Sequence, residues 1–226
     1  MYINRGSGFF GAFPPVIKNL VIINALMLLI TYITGDFMYE KFSLFYFESP
    51  LFKPYQLITH MFMHGGFIHL LFNMYSLVIF GMVLEQVWGS KRFFLYYMIT
   101  GLGAALLHSL VLYIDASSLA SAAEAGNFAA MQKLELLYTT PTVGASGAVY
   151  GVLLAYGMLF PNNVLQLIFP PIALKAKWFV LIFGAIELYL GISNTGGNVA
   201  HFAHLGGMIF GFFLIKYWKK KNNLYF

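Results

Sequence analysis

Apolar residues in this chain fall into long, nearly unbroken runs, not into the alternation of a half-buried strand or the single stripe of a surface helix. Six runs stand out, at 16–33, 67–84, 93–114, 144–160, 178–191 and 200–218. A bilayer core takes about 20 such residues per helix, so each run predicts a membrane span, the fifth being short. Pro14-Pro15 precedes the first run and Pro170-Pro171 lies before the fifth, in loops where proline costs no helical hydrogen bond. No internal repeat, low-complexity tract or second domain interrupts the pattern. The expectation is an all-α polytopic membrane protein, a bundle of six transmembrane helices forming one domain over residues 1–226.

Composition agrees. Of the 226 residues, 60% are hydrophobic and only 9% are charged, against roughly 25% charged in an average soluble domain. The absence of cysteine excludes disulfides, a thiol nucleophile and cysteine-ligated metal. A net charge of +5 raises nucleic acid as a partner, but the basic residues flank apolar runs and do not form a patch. They sort by side instead. Arg5, Lys18, Lys91, Arg92, Lys175, Lys177, Lys216, Lys219, Lys220 and Lys221 border one set of run ends, and only Lys41, Lys53 and Lys133 border the other. By the positive-inside rule, ten against three puts both termini in the cytoplasm. Spans two, four and six then begin at the outer face. The outer connections are 35–66 and 115–143, and the alanine-rich stretch 117–137 is expected to form a short amphipathic helix. The first run is long enough to remain as an anchor, with no cleavable signal evident. The expected location is multi-pass in a membrane, taken as a bacterial inner membrane.

Polar groups inside spans are expensive and mark function. His69 and Asn73 lie four apart, on one face of span two. Ser146 opens span four within Gly144-Ala145-Ser146-Gly147, with Tyr150 one turn on, and His201 and His204 open span six. At 1.5 Å per residue all lie at a similar depth, about 5–10 Å below the outer surface. A serine hydroxyl becomes a useful nucleophile when a histidine takes its proton, and the oxyanion needs fixed donors. The Ser146 N–H, the Asn73 amide and a neutral His69 can supply them. With no acid expected at that level, a Ser–His dyad is the economical reading, and Glu187 in span five is assigned a buried hydrogen-bonding role. His204, not His201, is expected to be the base. Gly207 and Gly211 follow it on the same face, and Gly147 and Gly151 offer span four a matching small surface.

These residues resemble the rhomboid intramembrane proteases. His60-Met-Phe-Met-His64-Gly-Gly-Phe-Ile-His69-Leu-Leu-Phe-Asn73 resembles the stretch entering the family's second core helix, and Leu84-Glu85-Gln-Val-Trp-Gly89-Ser-Lys-Arg92-Phe93 its turn into the third. Gly144-Ala-Ser146-Gly147 resembles the nucleophile motif, and Ala203-His204-Leu-Gly-Gly207 with Gly211 the general-base motif. In family order, they cover most of residues 50–215. The resemblance implies a six-helix core around a water-filled cavity open to the outer side. It implies Ser146 as nucleophile, His204 as base, His69 and Asn73 at the oxyanion, and Tyr150 stacked on His204. Substrates would be single transmembrane helices cut near their outer ends, in contact with membrane lipid, with no metal or cofactor. The chain departs from the family at Tyr55-Gln56, where many members carry Trp-Arg. The Arg contact is then missing, and with it any role of Glu85 tied to it.

Two other classes compete. A metal- or haem-binding membrane protein would use the closely spaced His60, His64 and His69. It leaves the serine and asparagine without purpose. A rhomboid-like protein that binds membrane helices without cutting them normally lacks the nucleophile or base, and both are present. His60, His64 and His201 are otherwise assigned bracing or cavity-lining roles, and His108 a structural one without a named partner.

Overall fold

The computed structural model describes residues 13–166, 171–193 and 200–221; Arg5 and Pro170 lie outside them. Helix α1 (Pro15–Thr34) starts with proline at its first turn. The start is capped from another helix: buried Glu85 accepts the Val16 and Ile17 N–H groups at 2.9 Å each and the Ser90 hydroxyl at 2.6 Å. A carboxylate is well placed there, where free N–H groups and the helix dipole converge. Glu85 thus has a role that needs nothing from Gln56. Gln56 is itself buried, taking the Lys53 N–H and donating to the Leu51, Lys41 and Glu40 carbonyls.

Short helices α2 (Asp36–Phe42) and α3 (Gln56–Thr59) occupy the first connection. A long apolar helix follows from Phe67 to Trp88, made of α4 (Phe67–Ser76), a wide turn at Leu77–Gly81 and α5 (Met82–Trp88). Helix α6 (Ser90–Glu124) runs for 35 residues. It continues through 117–124, where the sequence suggested a separate amphipathic helix. That helix, α7 (Phe128–Thr139), begins only after Gly126, at φ +88°, and after Asn127, whose side chain accepts the Ala130 N–H. Alanine favours helix strongly enough to carry α6 onward until glycine ends it.

Helices α8 (Ser146–Leu159), α9 (Ala176–Ser193) and α10 (His201–Lys220) complete the bundle. A two-stranded antiparallel hairpin, β1 (Val164–Gln166) with β2 (Ala173–Lys175), corrects the all-α expectation. Strands of three residues are too short to leave a periodic signal. Four helices, Pro15–Thr34, Phe67–Trp88, Ser90–Glu124 and Ala176–Ser193, are long and apolar enough to cross a membrane, and Ser146–Leu159 is a shorter apolar helix. They turn large apolar side chains outward: Ile33 is 76% exposed and Ile192 71%. Such a surface belongs against lipid, and the chain is a mostly helical, multi-pass membrane protein.

Small residues set the packing at the centre. A β-carbon on Gly207 would stand 1.8 Å from the Gly147 carbonyl oxygen, so α10 and α8 touch backbone to backbone there. One turn further the expectation fails. Gly211 faces Tyr96 and Thr100 of α6, and Gly151 also faces Thr100. The Tyr96 hydroxyl donates to the Gly151 carbonyl at 2.8 Å and lies between Gly151 and Gly211.

Candidate active site

The segment before α8 is fixed by its neighbours. Leu44 and Thr142 exchange backbone hydrogen bonds at 2.8 and 2.9 Å, the Ser49 hydroxyl donates to the Tyr138 carbonyl at 2.7 Å, and the Gly144 N–H donates to the His60 carbonyl at 3.0 Å. Gly144 has φ +130°, and a β-carbon on it would sit 2.9 Å from the His69 ring. Only glycine suits both constraints. The same point lies 3.0 Å from His69 Nε2 and 3.6 Å from Ser146 Oγ, so α4 and α8 bring these two groups to one place.

Ser146, at the first turn of α8, makes a 2.7 Å hydrogen bond to His204 Nε2 on α10. The Tyr150 ring lies parallel to that of His204, with centroids 4.2 Å apart and planes within 6°. The Gly65 N–H donates to His69 Nδ1 at 3.3 Å, which leaves the proton of a neutral ring on Nε2. Asn73 spends one amide N–H on the His69 carbonyl at 2.9 Å and keeps another. Ser146, His204, His69, Asn73 and Tyr150 all line one cavity of about 800 Å³, which Lys133 and Leu137 of α7 also border. A hydroxyl bonded to an imidazole in a cavity, with N–H donors at hand, suits acyl transfer.

Glu187 has the buried hydrogen-bonding role expected of it, but it stands beside His204, where no acid was expected. Tyr150 donates its hydroxyl to Oε1, His201 Nδ1 lies 2.6 Å from Oε2, and His204 Nδ1 lies 2.9 Å from the same oxygen. Spacing along α9 carries no sign of this, because these partners lie on α8 and α10. The available signal was depth: Glu187 is six residues from the end of α9 at Ser193, about 9 Å, and α10 starts soon after.

The other histidines are also placed. His108 has a partner after all, Thr142 Oγ1 at 2.9 Å. His60 Nδ1 bonds the Gln56 carbonyl at 2.8 Å. The His64 ring is buried edge-on to His69. Burial pushes the His60 imidazole down to about 4, and burial followed by the nearby His69 does the same to His64. Among the described residues, one trio has metal-ligand spacing, and it is not His60, His64 and His69. It is Glu187, His201 and His204, whose donor atoms lie within 4.8 Å of one another.

Fold and site together define a polytopic membrane domain holding a serine–histidine pair in a cavity. Residues 51–221 match the Rhomboid domain, and the chain belongs to the rhomboid family. RHOMBOID-like protein 2 of Arabidopsis thaliana is 35% identical over 72% of this chain and 41% of its own length. RHOMBOID-like protein 6, mitochondrial, of the same plant is 32% identical over 72% and 43%. Rhomboid protein 1, mitochondrial, of Saccharomyces cerevisiae is 30% identical over 69% and 39%. The chain thus spans less than half the length of these three relatives.

Proposed function

We propose that this protein is an intramembrane serine protease that cleaves transmembrane-helix substrates near the outer membrane face. The observation that carries the reading is the 2.7 Å bond between Ser146 Oγ and His204 Nε2 inside the cavity of a rhomboid domain. As Oγ attacks the scissile carbonyl carbon, Nε2 takes its proton. The resulting oxyanion is met by the His69 Nε2–H, the free Asn73 N–H and the Ser146 backbone N–H. Collapse breaks the C–N bond, and His204 returns the proton to the departing amine. Water then attacks the Ser146 ester by the same route in reverse, releasing the acid and restoring the hydroxyl. Tyr150 holds the imidazole plane.

The proposal includes six spans, with α8 and α10 joining α1, the Phe67–Trp88 helix, α6 and α9, and both termini in the cytoplasm. Support comes from the apolar runs and the ten-to-three distribution of basic residues. A bacterial inner membrane is part of the same proposal. The test is labelling with a fluorophosphonate probe in detergent. Labelled wild type and unlabelled Ser146→Ala are expected; an unlabelled wild type overturns the reading and returns the chain to a helix-binding, non-cutting role.

A further inference from the structure

Glu187 is an ionisable side chain, 6% exposed, between Ile186 and Leu188 of the apolar run of α9. Placing a carboxylate there is costly unless it is paired and hydrogen-bonded. Three partners meet it. The Tyr150 hydroxyl takes Oε1, His201 Nδ1 takes Oε2 at 2.6 Å, and His204 Nδ1 approaches Oε2 to 2.9 Å from outside the hydrogen-bond direction. Opposite its Nδ1, His204 presents Nε2 to Ser146 at 2.7 Å. One imidazole therefore stands between a hydroxyl on α8 and a carboxylate on α9.

We propose that Glu187 is a positioning residue for the base, a third member that acts on Ser146 through His204. The inference rests on the reading of Ser146 and His204 as nucleophile and base. When His204 takes the serine proton it becomes an imidazolium, and a carboxylate 2.9 Å from its far nitrogen stabilises that charge at the moment it forms. His201 and Tyr150 fix the carboxylate from its other sides, so the charge costs no reorganisation. Tyr150 thereby does two things, pressing its ring on His204 and its hydroxyl on Glu187. The off-line approach is that of a resting site. Catalytic hydrogen bonds are often poorly aligned without substrate and tighten when it binds. The rival role is purely structural, with Glu187 fastening α9 to α8 and α10.

Glu187→Gln separates the two, because it keeps size and an acceptor for Tyr150 but removes the charge. We expect kcat on a model transmembrane substrate to fall about 10- to 100-fold, within the range of acid–base contributions, with KM changed less than about twofold. Phosphonate labelling should slow in parallel while the detergent Tm stays within about 2 °C. Glu187→Asp should recover part of the lost kcat, since it restores the charge. Wild-type kcat and labelling in Glu187→Gln would overturn the inference, as would a kcat loss matched by a large drop in Tm and no better with aspartate. In either case Ser146-dependent labelling of wild type leaves the protease reading standing. Absence of that labelling removes both.

Discussion

Gly207 meets Gly147 so closely that any side chain on Gly207 would overlap the Gly147 carbonyl oxygen. Gly147 follows the serine directly, and Gly207 lies three residues, one helical turn, after the histidine. The contact therefore sets the distance between Ser146 and His204.

Gly207→Ala is expected to force α10 from α8, because the obstacle is backbone and cannot rotate aside. Overpacking costs about 1–3 kcal/mol, so Tm in detergent should fall by roughly 3–10 °C, with phosphonate labelling lost or strongly slowed. Ser146→Ala should lose labelling at unchanged Tm. One variant fails through geometry and the other through chemistry. A Gly207→Ala protein of normal Tm and labelling would show that the helices do not meet there.

Glu85→Ala tests the cap on α1. It leaves the Val16 and Ile17 N–H groups without their acceptor, at about 1–3 kcal/mol for each buried group. None of the partners of Glu85 belongs to the cavity. Tm should drop by several degrees while labelling well below the new Tm stays near wild type. An unchanged Tm would mean that water or another group takes over the cap.

Much of the site could be read from the sequence because depth in a span follows from residue count. Residue count puts Ser146, His204, His69 and Asn73 at one depth, and the structure sets them around one cavity. Glu187 obeys the same rule, but its partners lie on α8 and α10, so spacing along its own helix does not reveal them. The glycine face of α10 was half legible. Its turn at Gly207 points at α8, but at Gly211 the neighbour is Tyr96 of α6. The three-residue strands carry too little local signal to be placed without their tertiary context, whereas the extension of α6 to Glu124 follows the alanines of 116–125 up to Gly126.

Stability should depend on pH through the histidines of the first connection. His60 and His64 stay neutral in the folded chain down to about pH 4, whereas their ordinary value is 6.5. Between those limits the unfolded chain binds more protons, so stability is full above 6.5, declines as pH falls toward 4, and levels below it. The detergent Tm should be lower at pH 5 than at pH 7.5. His64→Gln should reduce that difference, because burial and the nearby His69 hold the His64 imidazole neutral in the folded chain. Equal slopes in wild type and variant would remove His64 from the account.

The oxyanion donors can be tested against one another. Losing one such donor typically costs about 100- to 1,000-fold in turnover. In Asn73→Ala the His69 Nε2–H and the Ser146 N–H remain, so kcat should fall toward the low end of that range or less. His69→Ala removes a donor and also the ring on which the Gly65 N–H and the Gly144 backbone rest, and should cost more, with some loss of Tm. The two residues touch, since the Asn73 amide donates to the His69 carbonyl, so their effects should not add. We expect the double variant to be less impaired than the product of the single losses, because the first substitution already disturbs the geometry the second relies on. KM should change little in Asn73→Ala, as the donor is used only when charge develops on the oxygen. A wild-type kcat in Asn73→Ala, or a loss confined to KM, would take Asn73 out of the oxyanion site and leave it as the residue that merely ties one turn of α4 to the next.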